Sequence, residues 1–273
     1  MSINGNERRP RKMGDFGASE ASGVRFVLFD IDDTITQGGR LLEESYSALW
    51  RLREAGFAAI PVTGRPAGWC DLIAREWPVD AVVGENGAFT FYIKNGKLIH
   101  LFHPEAPDTA EAQNRLKTVR ERVLAEVPES RVAKDQFCRL FDLAVDFAEE
   151  EPVLPLESAV RIREICESFG AHAKISSIHV NAWFGNYDKL SMAEIYLAER
   201  YGYDAERDRT SVLYFGDSPN DEPMFRNFPL SVGVANVSDF LPLMSFPPAF
   251  VTEASHGLGF AEGTGRLLDL RRK

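Results

Sequence analysis

The chain has 273 residues, 44% of them hydrophobic and 26% charged, a composition that lets a soluble chain bury a sizeable core without disulfide or metal staples. Its 31 Lys and Arg against 41 Asp and Glu leave a formal charge of -10, which argues against a general binder of nucleic acid or anionic membrane, since such binding needs a basic surface. No apolar run approaches the ~20 residues that span a bilayer, and Cys70, Cys138 and Cys166 are scattered without metal-ligand spacing, so they read as reduced thiols.

Residues 1–23 carry a basic cluster, Arg8, Arg9, Arg11 and Lys12, but no apolar stretch follows it before Val24. A secretory signal requires that stretch. The expectation is a disordered tail and a cytoplasmic protein. Val24–Phe29 is a short apolar run ending in acids, which reads as a buried strand of a parallel sheet. Leu41–Ala55 has helical periodicity and stops at Gly56. Phe57–Val62 is a second buried strand, Pro66–Trp77 a helix closed by Pro78, and Ala81–Val83 starts a third strand. The rhythm returns late in the chain: helix Lys189–Tyr201, strand Ser211–Phe215, short helix Pro219–Asn227, strand Leu230–Val234 and a short strand Phe250–Val251. Alternating strands and helices imply a parallel α/β sheet.

The stretch between these halves differs. FYIKNGKLIHLF is a hairpin with Asn95-Gly96 at its turn. A charged helix near Ala110–Glu126, a strand over Arg139–Phe147, a helix near Leu156–Phe169 and a strand over Ile175–Ala182 follow. The expected fold class is α/β, with a Rossmann-like parallel-sheet core at 24–90 and 185–273. An α+β cap domain at 91–184 is inserted between the halves.

Three polar clusters directly follow buried strands: Asp30-Ile31-Asp32-Asp33-Thr34, Thr63-Gly64-Arg65-Pro66 and Gly216-Asp217-Ser218-Pro219-Asn220-Asp221. In open α/β sheets, ligands bind beyond the carboxyl ends of the strands. Asp30, Asp32, Asp217 and Asp221 are expected to converge there, and such crowding needs a cation or protons. With oxygen donors only, a hard cation fits, Mg²⁺ above all. Pro66 and Pro219 sit where helices begin, with Thr63 or Gly64 and Ser218 near the N-caps. Asp188 is a plausible N-cap that puts Lys189 in a first helical turn, an arrangement suited to phosphate.

Together these residues resemble the haloacid dehalogenase-like phosphatase superfamily. The likeness covers roughly 24–90 and 186–265. The family's Asp-x-Asp-x-Thr motif corresponds to Asp30, Asp32 and Thr34, its Ser/Thr motif to Thr63, its lysine to Lys189, and its acidic loop to Gly216, Asp217 and Asp221. The insertion and VVGENGAF at 82–89 resemble the Cof-like, sucrose-phosphatase-like branch, and GDSPNDEPMF resembles the corresponding loop in mannosyl-3-phosphoglycerate phosphatases and their relatives. Asp33 departs from the Gly common in the family; Asp tolerates unusual backbone angles better than most residues.

The resemblance implies an Mg²⁺-dependent phosphatase acting on a small phosphorylated metabolite, a sugar phosphate or a phosphoglycerate-type ester. Asp30 attacks phosphorus and forms an aspartyl-phosphate, while Asp32 serves as acid and base. The metal is held by Asp30, by the Asp32 carbonyl, by Asp217 and by Asp221, directly or through water. Thr63, Gly64, Lys189 and Asn220 hold phosphate. Arg65, Asn86, His179, Asn181 and Trp183 are the expected substrate contacts at the cap–core junction. His100, His103, His172 and His256 show no ligand spacing and read as structural or surface residues. The alternatives are a sugar phosphomutase of the same superfamily and a non-catalytic binding protein. A dinucleotide-binding oxidoreductase is disfavoured because no G-x-G-x-x-G follows the first strand.

Overall fold

The computed structural model describes residues 9–176 and 178–272. They form two compact units. The first takes the chain through Thr63, then 76–82, then everything from Glu194; the second takes Gly64–Arg75 and Val83–Ala193.

The first unit is built on a six-stranded parallel sheet. In spatial order its strands are Arg11–Lys12, Phe250–Val251, Leu230–Gly233, Val212–Gly216, Phe26–Phe29 and Ala58–Pro61. The four long strands are buried along their whole length, as their unbroken apolar runs require in a sheet covered on both faces. Phe29 pairs with Phe215 and Pro61, so the segments after these three strands all leave the same edge of the sheet. Helix Glu43–Glu54 buries Ala48, Leu49 and Leu52.

A final helix, His256–Arg271, has no counterpart in the sequence reading. Its four glycines lower helix propensity, but packing demands three of them. A Cβ at Gly257 would lie 2.1 Å from Ser45 Oγ, one at Gly259 2.3 Å from the Ala254 carbonyl oxygen, and one at Gly263 2.4 Å from the Phe215 ring.

The expectation of a disordered tail over 1–23 is corrected from Arg11 onward; residues 1–8 lie outside the described residues. Arg11 and Lys12 pair in parallel with Phe250 and Val251, and helix Ala18–Ser22 follows. Met13 and Phe16 are buried, and the Phe16 ring meets Phe250 edge-on at 5.4 Å. Arg266 Nε donates to the Phe16 carbonyl at 3.0 Å. Two apolar side chains within a polar stretch supply the burial that a polar tail lacks.

The second unit contains a four-stranded antiparallel sheet, in order His172–Ile175, His179–Trp183, Asp142–Asp146 and Arg131–Val132. Strand His179–Trp183 alternates in character. Val180 and Ala182 join Leu143, Val145 and Ala173 in a core with residues of helices Thr109–Glu126 and Leu156–Ser168. His179, Asn181 and Trp183 take the opposite face, with Asp142, Ala144 and Asp146 opposite them in register. Hairpin Phe89–Lys94 and Lys97–Phe102 turns through Asn95 and Gly96, both at positive φ, the two-residue turn its sequence demands. Strand Val82–Gly84 joins this hairpin rather than the parallel sheet.

The second unit is wider than residues 91–184. It draws in 64–75, 83–90 and 185–193, for reasons visible in its buried polar contacts.

Candidate functional site

In the first unit, the turn after strand Phe26–Phe29 and the loop after Val212–Gly216 bring Asp30, Asp217 and Asp221 together. One carboxylate oxygen from each lies within 4.8 Å of the others, and all three residues are buried. Thr34 Oγ1 donates to Asp217 Oδ1 at 3.0 Å. Burial pushes the Asp217 carboxyl well above the usual carboxylate range, and the charges of Asp221 and Asp30 push it further. The cluster therefore favours either protons or a cation. Its donors are all hard oxygens, so it fits Mg²⁺ by chemistry.

Asp221 is committed on both oxygens. Oδ1 accepts from the Tyr214 hydroxyl at 2.5 Å, and Oδ2 accepts from the Asp217 and Ser218 backbone N–H groups at 3.0 and 3.3 Å. It shapes the loop that presents Asp217. Gly216 is required there, because a Cβ would lie 2.5 Å from Asp221 Oδ2. Ser218 caps the short helix Pro219–Asp221, with Pro in its first turn. Asn220 Oδ1 accepts from Ser218 Oγ at 2.9 Å. Thr63 is fully buried, and Asp32 is half-buried.

Asp33 sits at φ 55°, the left-handed region that the common Gly would favour and that Asp tolerates. Its carbonyl is held from two sides: Asn236 Nδ2 donates to it at 3.0 Å, and His256 Nδ1 lies 3.0 Å away. The His256 backbone N–H in turn donates to Asn236 Oδ1 at 2.9 Å. This clamp fixes the peptide between Asp32 and Thr34. His256 was expected to be a structural or surface residue, and nothing in its spacing reveals this contact.

Six predicted site residues besides Lys189 belong to the second unit. Asn86 Nδ2 and Asn181 Nδ2 both donate to Asp142 Oδ2, at 3.5 and 3.0 Å. Arg139 forks onto both Asp142 oxygens and onto Asp135, and also donates to the Gly64 carbonyl at 3.1 Å. Glu85 is fully buried. Its oxygens accept from the backbone N–H groups of Ala67, Leu140 and Phe141. Burial, with the nearby charge of Asp142, pushes Glu85 up to about 8. Glu85 and Arg139 thus tie residues 64–67 and 85–86 to residues 135–142.

Glu85 and Asn86 both have positive φ, at 43° and 58°, a strained pair that persists because its surroundings over-determine it. A Cβ at Gly87 would lie 2.0 Å from the Asp188 carbonyl oxygen. Asp188 caps helix Lys189–Tyr201, accepting from Ser191 N at 2.7 Å. Lys189 is buried in that first turn. Arg65 lies over the Trp69 ring. His179 Nε2 pairs with Glu149 at 2.7 Å, away from the Asp142 cluster. Trp183 is buried and stacks on Tyr187. Sequence reading missed Glu85 as an anchor, along with Arg139, Asp142 and Tyr214. The signal was a charged or hydroxyl-bearing residue inside an otherwise apolar strand or turn.

Comparison with known proteins follows the same line. A family model for haloacid dehalogenase-like hydrolases matches residues 27–122. A phosphoglycolate phosphatase of Methanobrevibacter smithii is 26% identical over 242 residues, 86% of this chain and 95% of that protein. A crystal structure of a Thermoplasma acidophilum protein superposes with a TM-score of 0.69 at 20% identity, covering 90% of this chain and 99% of that one. A sugar phosphatase of HAD subclass IIB superposes with a TM-score of 0.62 at 14% identity, covering 89% and 98%. The likeness to these structures shows the fold, and the family model places residues 27–122 among haloacid dehalogenase-like hydrolases.

Proposed function

We propose that the protein is a Mg²⁺-dependent phosphatase that hydrolyses a small phosphorylated metabolite through an aspartyl-phosphate on Asp30. The observation that carries this reading is the buried convergence of Asp30, Asp217 and Asp221 from segments far apart in sequence. Bound there, Mg²⁺ would supply the positive charge that keeps Asp30 ionised and neutralises the phosphoryl oxygens.

Asp30 attacks phosphorus, splitting one hard displacement into two easier ones. Asp32, half-buried and outside that three-carboxylate cluster, protonates the leaving oxygen and then takes a proton from the attacking water. Thr34 orients Asp217 through its hydroxyl, and Asp221 holds the loop. The likeness to the family assigns phosphoryl binding to Thr63, Gly64, Lys189 and Asn220. Arg65, Asn86, His179, Asn181 and Trp183 of the second unit are the candidate substrate contacts, with His179 Nε2 2.7 Å from Glu149 Oε2. The names of two relatives, a phosphoglycolate phosphatase and a sugar phosphatase, support a small phosphate ester as substrate.

The test is turnover of p-nitrophenyl phosphate. Asp30→Asn should abolish it with the melting curve unchanged, and EDTA should abolish it until Mg²⁺ is restored. Wild-type turnover by the Asp30→Asn protein overturns the assignment.

A further inference from the structure

The parallel sheet of the first unit is acidic at one edge and basic at the other. Asp30, in the acidic cluster, follows strand Phe26–Phe29, and Arg25 precedes it. At roughly 3.3 Å per residue, about 17 Å of strand separates the two. Two adjoining cavities open at the basic edge. One, of about 370 Å³, is lined by Arg51 and Glu54 from the last turn of helix Glu43–Glu54 and by Arg271 and Arg272 at the end of the final helix. The other, of about 190 Å³, is lined by Arg25 and Phe26. Ala55, Phe57 and Arg271 line both, so the two form one groove.

The charge of this groove is one-sided. A helix C-terminus carries about half a negative charge, and a cation in the last turn answers it. Arg25, Arg51, Arg271 and Arg272 exceed that need. Set against two helix ends and Glu54, they leave a net positive charge of about two, in a chain whose formal charge is -10. The side chains of Arg25, Arg51 and Arg272 make no ion pair among the described residues. Cations gathered in this way repel one another, and a bound anion removes that cost.

Two of the four are already in place. Arg271 Nη1 donates to the Ser22 carbonyl at 2.5 Å, and its guanidinium lies 5.5 Å from the centre of the Phe57 ring. Arg25 lies 4.8 Å from the centre of the Phe26 ring. Seating on an aromatic face restricts a long side chain before any ligand arrives. The backbone N–H groups of Ala55, Gly56, Phe57 and Ala58 are all spent on carbonyls, so an incoming anion meets guanidinium forks. Each fork matches two phosphate oxygens. A single phosphate is too short to engage forks spread over both cavities, whereas a chain of phosphates reaches them.

We propose that this groove is a binding site for a polyphosphate group, gripped by Arg25, Arg51, Arg271 and Arg272 and separate from the acidic cluster at the other edge of the sheet.

The experiment is calorimetric titration of tripolyphosphate into the full chain without Mg²⁺, a condition in which the crowded acids around Asp30 repel an anion. Wild type should bind one equivalent, with an affinity that falls as NaCl is raised. The double variant Arg51→Ala, Arg272→Ala should bind about 10- to 100-fold more weakly, the loss expected for charge-assisted hydrogen bonds. Lys189→Ala should bind as wild type does. Both arginines removed are exposed, so the double variant should melt no lower than wild type and hydrolyse p-nitrophenyl phosphate at the same rate. A parallel titration with ATP distinguishes the sources: tighter binding than tripolyphosphate assigns a nucleotide, and weaker binding an inorganic polyphosphate. Absence of binding at millimolar tripolyphosphate overturns the proposal. So does equal affinity in the double variant, loss of binding in Lys189→Ala, or inorganic phosphate bound as tightly as tripolyphosphate, which would show that the groove has no use for a chain.

Discussion

Replacing Asn236 by Ala tests whether the Asp33 turn depends on its clamp. Asp33 is an L-residue at φ 55°, a conformation that costs roughly 1 kcal/mol or more outside glycine. Two contacts to its carbonyl, from Asn236 and His256, offset that cost, each contributing about 1 kcal/mol. Asn236→Ala removes one of them and strands the His256 N–H that Asn236 accepts. With one contact left, the turn sits near break-even, so a sizeable share of molecules has Asp32 and Thr34 misplaced.

The expected result is a loss of about 1–2 kcal/mol in stability, seen as a melting shift of about 2–6 °C. A two- to tenfold drop in kcat on p-nitrophenyl phosphate should accompany it, with KM little changed. The decisive arm uses glycine, which adopts positive φ without strain. In the Asp33→Gly background, Asn236→Ala should cost much less kcat while costing similar stability. An equal kcat loss in both backgrounds refutes the argument, because it would mean that backbone strain at Asp33 is not what the clamp restrains.

Two further outcomes follow from other parts of the fold. Glu85 binds its proton more tightly folded than unfolded, so folding is penalised once pH rises above the unfolded value near 4.5 and the penalty grows until about pH 8. Wild type should melt at progressively lower temperature from pH 5 to pH 8, and Glu85→Gln should flatten that slope; an unchanged slope assigns the dependence to other groups. Phe16→Ala should cost about 3–5 kcal/mol if residues 11–22 are integral to the first unit, measured by urea denaturation, whereas a cost under ~0.5 kcal/mol would show that this segment peels away freely.

The acidic cluster of the first unit was legible because its signals are local. An apolar strand that stops abruptly at acids names both the element and the edge it points to, and this happens at Phe29-Asp30 and again at Gly216-Asp217. Asp33 was read as a tolerable substitute for Gly, and its positive φ shows the physical reason. Pairings between remote residues were not legible. Glu85 reaches Leu140 and Phe141, Asn181 reaches Asp142, and Asn236 reaches Asp33, and no periodicity encodes such partners.

The first strand was missed for a related reason. Met13 and Phe16 are two apolar residues in a polar stretch, and only the edge offered by Phe250 makes them core. Helix His256–Arg271 was hidden by glycines whose value lies in close packing rather than in propensity. The polar face of strand His179–Trp183 was visible residue by residue, but the contact of Asn181 with Asp142 depends on a neighbouring strand.

The pairing of Arg11 with Phe250 also dictates an order of events during synthesis. The strand at Arg11 must wait for one translated much later before it has anything to pair with, and a contact so distant along the chain forms late. Until then the margin beside Phe250 and Val251 has no cover, and an open margin invites pairing with a neighbouring copy. Met13 and Phe16 therefore act as a latch that shuts once Phe250 has emerged, and a nascent chain stalled short of residue 250 would be the form most exposed to aggregation.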